Sequence, residues 1–115
     1  MRKNKTMQGM IEKLFVKAEK EKSAFWKRIA KELNKPARRM RRVNLSKLSR
    51  VTKPNEWVII PGKLLGTGEL THKLNVIALS FSKAAEEKVR TKGTLVTLAE
   101  FLEKSTKPKG VRIIG

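Results

Sequence analysis

Lys35, Arg38, Arg39, Arg41 and Arg42 place five cations in eight consecutive residues with no carboxylate among them. Guanidinium groups at this density suit one kind of chemistry. Each planar fork donates two parallel hydrogen bonds to a phosphate or carboxylate, and its charge is permanent. With Pro36 at its head and no apolar period, the segment 35–42 is expected to be an extended arm held out to a polyanion. A localisation signal has the same composition. Lys27, Arg28 and Lys31 stand upstream, Lys47, Arg50 and Lys63 downstream, and Arg2, Lys3 and Lys5 lie in a short basic tail over residues 1–5. Together these are the candidate binding residues.

The charge is polarised. Residues 1–53 carry 18 Lys/Arg against 4 Glu, residues 54–115 only 10 against 6, and the chain totals +18. Solubility of a small domain needs a net charge of only about 2–8, so a polyanionic partner, nucleic acid first, accounts best for the excess. The N-terminal half is expected to supply the electrostatic footprint, binding by releasing the cations condensed on a phosphate backbone.

Other chemistry is poorly provided for. The chain has one histidine, His72, no cysteine and no aspartate. That removes the usual ligand sets for zinc and magnesium, excludes a disulfide scaffold, and leaves glutamates alone for acid–base work. Ser80 and Ser82 have no histidine in sequence reach and are better explained as turn or capping residues. Gly62-Lys63 and Gly66-Thr67-Gly68 imitate nucleotide-binding loops, but Lys63 sits at the wrong end for a phosphate loop and position 71, where a dinucleotide fingerprint needs glycine, is threonine. These glycines are expected to allow positive φ in a tight surface turn, or a close approach to RNA backbone. No cofactor, metal or small-molecule substrate is expected, and no enzymatic reaction. The longest apolar runs, Trp57–Ile60 and Val76–Leu79, fall far short of the roughly 20 residues that span a bilayer.

The elements that must position the cations follow from periodicity and punctuation. Met7, Met10, Ile11, Leu14, Phe15 and Ala18 form one helical face from Thr6 onward. Ser23 is expected to cap a second helix through Asn34, with Phe25, Ile29 and Leu33 on one side, Trp26 and Ala30 beside them, and Lys27, Arg28 and Lys31 on the solvent side. Trp26 fits a core better than a base-stacking platform. Asn44 caps a short third helix, with Val43 closing over Leu48, that ends near Thr52 before the Pro54-Asn55 turn.

Then the period changes. Trp57–Ile60, closed by Pro61-Gly62, and Leu74–Leu79 are expected to be strands buried on both faces. Ser82 caps a helix that turns Ala84, Ala85 and Val89 inward and ends at a left-handed Gly93. Leu95-Val96 is a brief strand, Thr97–Glu100 a capping box for a last helix, and Val111–Ile114 a closing strand. The sequence thus predicts a single α/β domain over 1–115: a basic tail (1–5), a helical, strongly basic region (6–53) and an α/β core (54–115).

Lys35-Pro36, the pair Arg38-Arg39, Val43-Asn44-Leu45 and the run Pro61-Gly62-Lys63-Leu64-Leu65-Gly66-Thr67-Gly68-Glu69-Leu70 resemble a family of large-subunit ribosomal proteins, the archaeal eighteen-e proteins and their bacterial relatives of the protein-fifteen type. Lys73-Leu74 and Phe81-Ser82-Lys83-Ala84-Ala85 extend the resemblance, which covers roughly residues 24–114. It implies a compact three-layer core of short strands and helices in an irregular ββα superhelix. It also implies a structural role in the large ribosomal subunit, in the cytoplasm, with large-subunit ribosomal RNA and neighbouring ribosomal proteins as partners and no membrane. Lys35, Arg38, Arg39 and Lys63 fall within matching motifs, whereas Arg41, Arg42 and the N-terminal cations rest on charge. The rival reading of the same charge is a DNA-coating, architectural protein.

Overall fold

The computed structural model describes residues 5–35, 40–104 and 110–114, with Lys5, Thr6 and Lys104 given by backbone alone. The chain divides into two compact units, Met1–Met40 and Arg41–Gly115.

The first unit is a helical hairpin of α1 (Lys5–Lys20) and α2 (Ala24–Leu33). The 3.6-residue period brings Ile11, Leu14 and Ala18 of α1 and Trp26, Ile29, Ala30 and Leu33 of α2 into the buried set. Trp26 is fully buried, with Phe25 edge-on at 5.2 Å between ring centroids, so it is a core residue and not a stacking surface. Ser23 caps α2 as expected, its hydroxyl accepting from the Trp26 backbone N–H at 3.3 Å. Phe15 departs from the inward stripe and stays 37% exposed.

The second unit is built on a parallel sheet. Its elements in order are β1 (Arg41–Asn44), α3 (Leu45–Val51), β2 (Trp57–Leu65), β3 (Asn75–Phe81), α4 (Lys83–Lys92), β4 (Thr94–Thr97), α5 (Leu98–Lys104) and β5 (Val111–Ile113). The strand order is β1-β2-β3-β4, and β5 also pairs with β2. β1 runs beside Gly62–Leu65 and β5 beside Trp57–Ile59, so the two short strands share one edge of β2 end to end. Val58, Ile60, Val76 and Ala78 join Leu45 and Leu48 of α3 and Ala85 and Val89 of α4 in the main core. Ile59 and Ile77 alternate to the other face and are fully buried; α5 packs on β3 with Leu98 buried. Apolar runs covered on both faces are what parallel strands require.

Four details correct the expectations. Arg41 and Arg42 are not arm but strand: the ladder with β2 supplies backbone partners that composition does not reveal. β2 does not stop at Pro61-Gly62 but continues to Leu65, because the register against β3 shifts between Ile60 and Lys63 and this bulge absorbs the proline. Gly93 has φ −170°, not a left-handed angle; it is glycine because a Cβ there would lie 2.0 Å from the Leu74 carbonyl oxygen. Ala84 is exposed while Ala85 and Val89 are buried. Elsewhere the expected caps form. Ala85 N–H donates to Ser82 Oγ at 3.2 Å, and Glu100 N–H to Thr97 Oγ1 at 3.1 Å. Asn44 stands at the N-cap of α3, but its side chain makes no capping hydrogen bond.

The glycine-rich run is the connection from β2 to β3. Leu64 lies level with Phe81 and Trp57 level with Asn75, so residues 66–74 must travel back along the whole of β3, roughly 20 Å at about 3.3 Å per residue. Nine residues reach at most about 30 Å, too short for a crossover helix. The segment is instead strapped down. Ser46 N–H donates to Thr67 O at 3.1 Å, Ser49 Oγ to Glu69 O at 2.6 Å, and Thr71 N–H to Ser49 Oγ at 3.1 Å. Lys88 Nζ reaches the carbonyls of Gly66 and Gly68 at 3.0 and 2.8 Å and Glu69 Oε1 at 3.2 Å. Gly68 has φ +93° and lies against Ser46, as the turn expectation requires; Gly66 has no positive φ and is glycine because Ala84 and Ala85 leave no room for a Cβ.

Candidate nucleic-acid interface

The structure sorts the cations by what they already touch. Lys88 is spent on the strap, and Arg112 is held by Glu56, Nε to Oε2 at 2.9 Å and Nη2 to Oε1 at 3.0 Å, with a further hydrogen bond to the Val51 carbonyl. Arg90 pairs with Glu86 at 3.2 Å and Lys17 with Glu21 at 2.9 Å. Among the candidates, Lys35 pairs with Glu32 at 2.9 Å, which keeps that buried carboxylate compensated. Among the described residues, Lys27, Arg28, Lys31, Arg42 and Lys63 have no carboxylate within ion-pair distance. Their charge is available to a partner.

These available cations fall on two surfaces. In the first unit, Lys27, Arg28 and Lys31 are exposed on the side of α2 opposite Trp26, Ile29, Ala30 and Leu33, as their spacing predicts. In the second unit, β1 alternates: Arg42 and Asn44 are exposed, Val43 is buried and Arg41 half-buried. The register places Arg42 beside Lys63, and Lys63 beside Ser80. All three are exposed. The next row, Val43, Leu64 and Phe81, belongs to or packs on the core. Parallel neighbours lie about 4.8 Å apart, so two residues distant in sequence form one cationic pair with a hydroxyl alongside.

Gly62 makes this pair possible. It sits opposite Arg41, and a Cβ on it would lie 2.0 Å from the Arg41 carbonyl oxygen and 2.7 Å from its carbon. Only glycine lets β1 close on β2 here. Thus in Pro61-Gly62-Lys63 the proline sits in the bulge, the glycine admits β1, and the lysine carries the charge.

Lys47 is half-buried and Arg50 exposed on α3. Lys5 opens α1 rather than closing a tail. Arg2, Lys3, Arg38 and Arg39, and with them the centre of the expected arm, lie outside the described residues. What sequence reasoning missed is the juxtaposition of Arg42 and Lys63. The alternation of exposed Arg42 and Asn44 with buried Val43 and Leu45 is its signal, four residues long and hidden under the charge. His72 bonds Thr52 Oγ1 through Nε2 at 2.9 Å and Thr71 Oγ1 through Nδ1 at 3.2 Å, a local structural role. Among the described residues there is no group of three or more potential metal ligands, and no helix is long and apolar enough to cross a membrane.

Comparison with known proteins agrees with this geometry. Residues 23–97 match the family model that unites the ribosomal proteins 50S-L15 and 50S-L18e with their 60S counterpart. Large ribosomal subunit protein eL18 of Sulfurisphaera tokodaii is 43% identical over 106 residues, covering 91% of this chain and 90% of that protein. The proteins of the same name from Archaeoglobus fulgidus and Methanothermobacter thermautotrophicus are 40% and 38% identical, covering 99% and 96% of this chain and 99% and 93% of theirs. A match that runs through α2, the β1–β2 pair and the strapped connection shows that the chain belongs to this family of ribosomal proteins, alongside the archaeal eL18 proteins.

Proposed function

We propose that the chain is a non-enzymatic structural constituent of the large ribosomal subunit, in the cytoplasm, that binds and stabilises folded large-subunit ribosomal RNA through its basic surface, with neighbouring ribosomal proteins as further partners. The observation that carries this reading is the exposed Arg42–Lys63 pair, held in register on a rigid sheet and free of carboxylates. Folded RNA crowds phosphates together, and a preorganised cationic surface gains where a flexible polycation would lose ordering entropy. Lys27, Arg28 and Lys31 supply a second set of available cations, and Arg38 and Arg39 remain candidates on sequence grounds. Little base sequence needs to be read, since phosphate contacts fix position and not sequence.

The test is a salt titration of binding to protein-free large-subunit ribosomal RNA. Each neutralised phosphate contributes about 0.7–0.9 to the slope of log affinity against log salt. The double variant Arg42→Ala/Lys63→Ala is expected to flatten the slope by about 1.4–1.8 with the fold intact. An unchanged slope removes the pair from the interface. Duplex DNA that competes as well as the RNA supports the DNA-coating reading instead.

A further inference from the structure

The turn joining α1 to α2 holds an aromatic ring that the core does not use. Phe15 lies on the apolar stripe of α1 yet remains 37% exposed, at the side of an open groove of about 500 Å³ lined also by Ala18, Glu19, Lys22, Ser23 and Lys27. This volume is in the range of small-ligand sites. The backbone of the turn gives a second, independent pointer. Ser23 N–H donates to Ala18 O at 2.9 Å and Lys22 N–H to Glu19 O at 3.3 Å, the paired bonds of a helix C-terminus whose left-handed residue is ordinarily glycine. Here that residue is Lys22, with φ +51°. A lysine held in a conformation that glycine adopts without strain is a reason to look for work done by its side chain, and that side chain lines the groove.

The lining has a definite chemistry. Phe15 offers an aromatic face, Lys22 and Lys27 offer two ammonium groups, and Glu19 offers a carboxylate that accepts from ring or exocyclic N–H groups. Unpaired bases are recognised by stacking on aromatic side chains with cations on the adjoining phosphates. We propose that this groove takes a single unpaired base of RNA, stacked on Phe15, with Lys22 and Lys27 on the flanking phosphates. The ring that stacks is Phe15, since Trp26 is buried. The inference rests on the RNA-binding reading above and deepens it: one site reads single-strandedness while the sheet surface reads only phosphate.

The experiment uses the full chain and two probes, an oligouridylate of about ten nucleotides, within the roughly 4–16-nucleotide range typical of single-strand sites, and a fully paired RNA duplex of equal length. Base–aromatic stacking of the usual strength makes Phe15→Leu bind the oligouridylate roughly tenfold more weakly and leaves duplex binding unchanged. Lys22→Gly is expected to melt at a higher temperature than the parent, because the strain is relieved, yet to bind the oligouridylate several-fold more weakly. Equal oligouridylate affinity in Phe15→Leu and parent overturns the proposal, as does equal loss on both probes. A stabilised Lys22→Gly with undiminished affinity overturns the role of that ammonium. If Phe15→Leu keeps oligouridylate affinity but no longer sediments with large ribosomal subunits, the groove docks a protein and the proposal fails. If the parent binds neither probe nor ribosomal RNA, the broader RNA-binding reading fails first.

Discussion

Gly62→Ala tests the step from sequence to site most sharply. The added Cβ would meet the carbonyl oxygen and carbon of Arg41 at 2.0 and 2.7 Å, and both are backbone atoms of the paired strand. No rotamer change relieves such a contact. Overpacking a side chain costs about 1–3 kcal/mol; here relief requires β1 to part from β2 over Arg41–Asn44, with lost hydrogen bonds worth about 1 kcal/mol each. The expected destabilisation is therefore about 2–4 kcal/mol, which for a unit of this size lowers the melting temperature by roughly 10–25 °C. Thermal denaturation followed by circular dichroism reads it directly. Gly9→Ala is the control: nothing lies within 4 Å of a Cβ there, in the interior of α1, so it should stabilise by about 0.5–1 kcal/mol. Gly62→Ala should also flatten the salt dependence of RNA binding, because Arg42 leaves Lys63 when β1 moves. A Gly62→Ala protein that melts within about 2 °C of the parent would refute the close-approach argument.

Two further substitutions separate support from binding. Lys88→Met should cost about 1–3 kcal/mol by leaving the Gly66 and Gly68 carbonyls without their ammonium donor, while the salt slope of RNA binding stays at the parent's value; a slope flattened as much as in Arg42→Ala/Lys63→Ala would move Lys88 into the binding surface. Trp26→Ala should cost about 3–5 kcal/mol, because a fully buried indole leaves a cavity that the α1–α2 seam cannot close. Loss of helical signal at a lower urea concentration than in the parent checks it.

Much of the fold is written locally. The apolar period of α1, the Ser23, Ser82 and Thr97 caps and the β-rich runs of β2 and β3 each depend on residues within one turn or one strand of each other. What stays hidden depends on contacts between distant segments. Pro61-Gly62 carries the signature of a strand end, and only the register shift against β3 shows that β2 continues. Arg41-Arg42 is dominated by its charge, and only the ladder with Gly62-Lys63 makes it a strand. Gly93 follows a helix and so reads as left-handed, whereas its lack of a side chain serves the approach of Leu74. The same holds for the site. Lys27, Arg28 and Lys31 are legible as one helical face, since helical spacing is a local property. The neighbouring positions of Arg42 and Lys63, and the exposure of Phe15, follow from pairing and packing that no local pattern encodes. The internal use of Lys88 and Arg112 is likewise invisible to a count of charges.

The central claim is that the cationic pair on the β1–β2 surface meets ribosomal RNA. A side-chain-resolution structure of large ribosomal subunits containing this chain tests it most directly. The account predicts the Arg42 guanidinium and the Lys63 ammonium at about 2.7–3.2 Å from phosphate oxygens. Finding both side chains against another protein, or in open solvent with no RNA within reach, would contradict it.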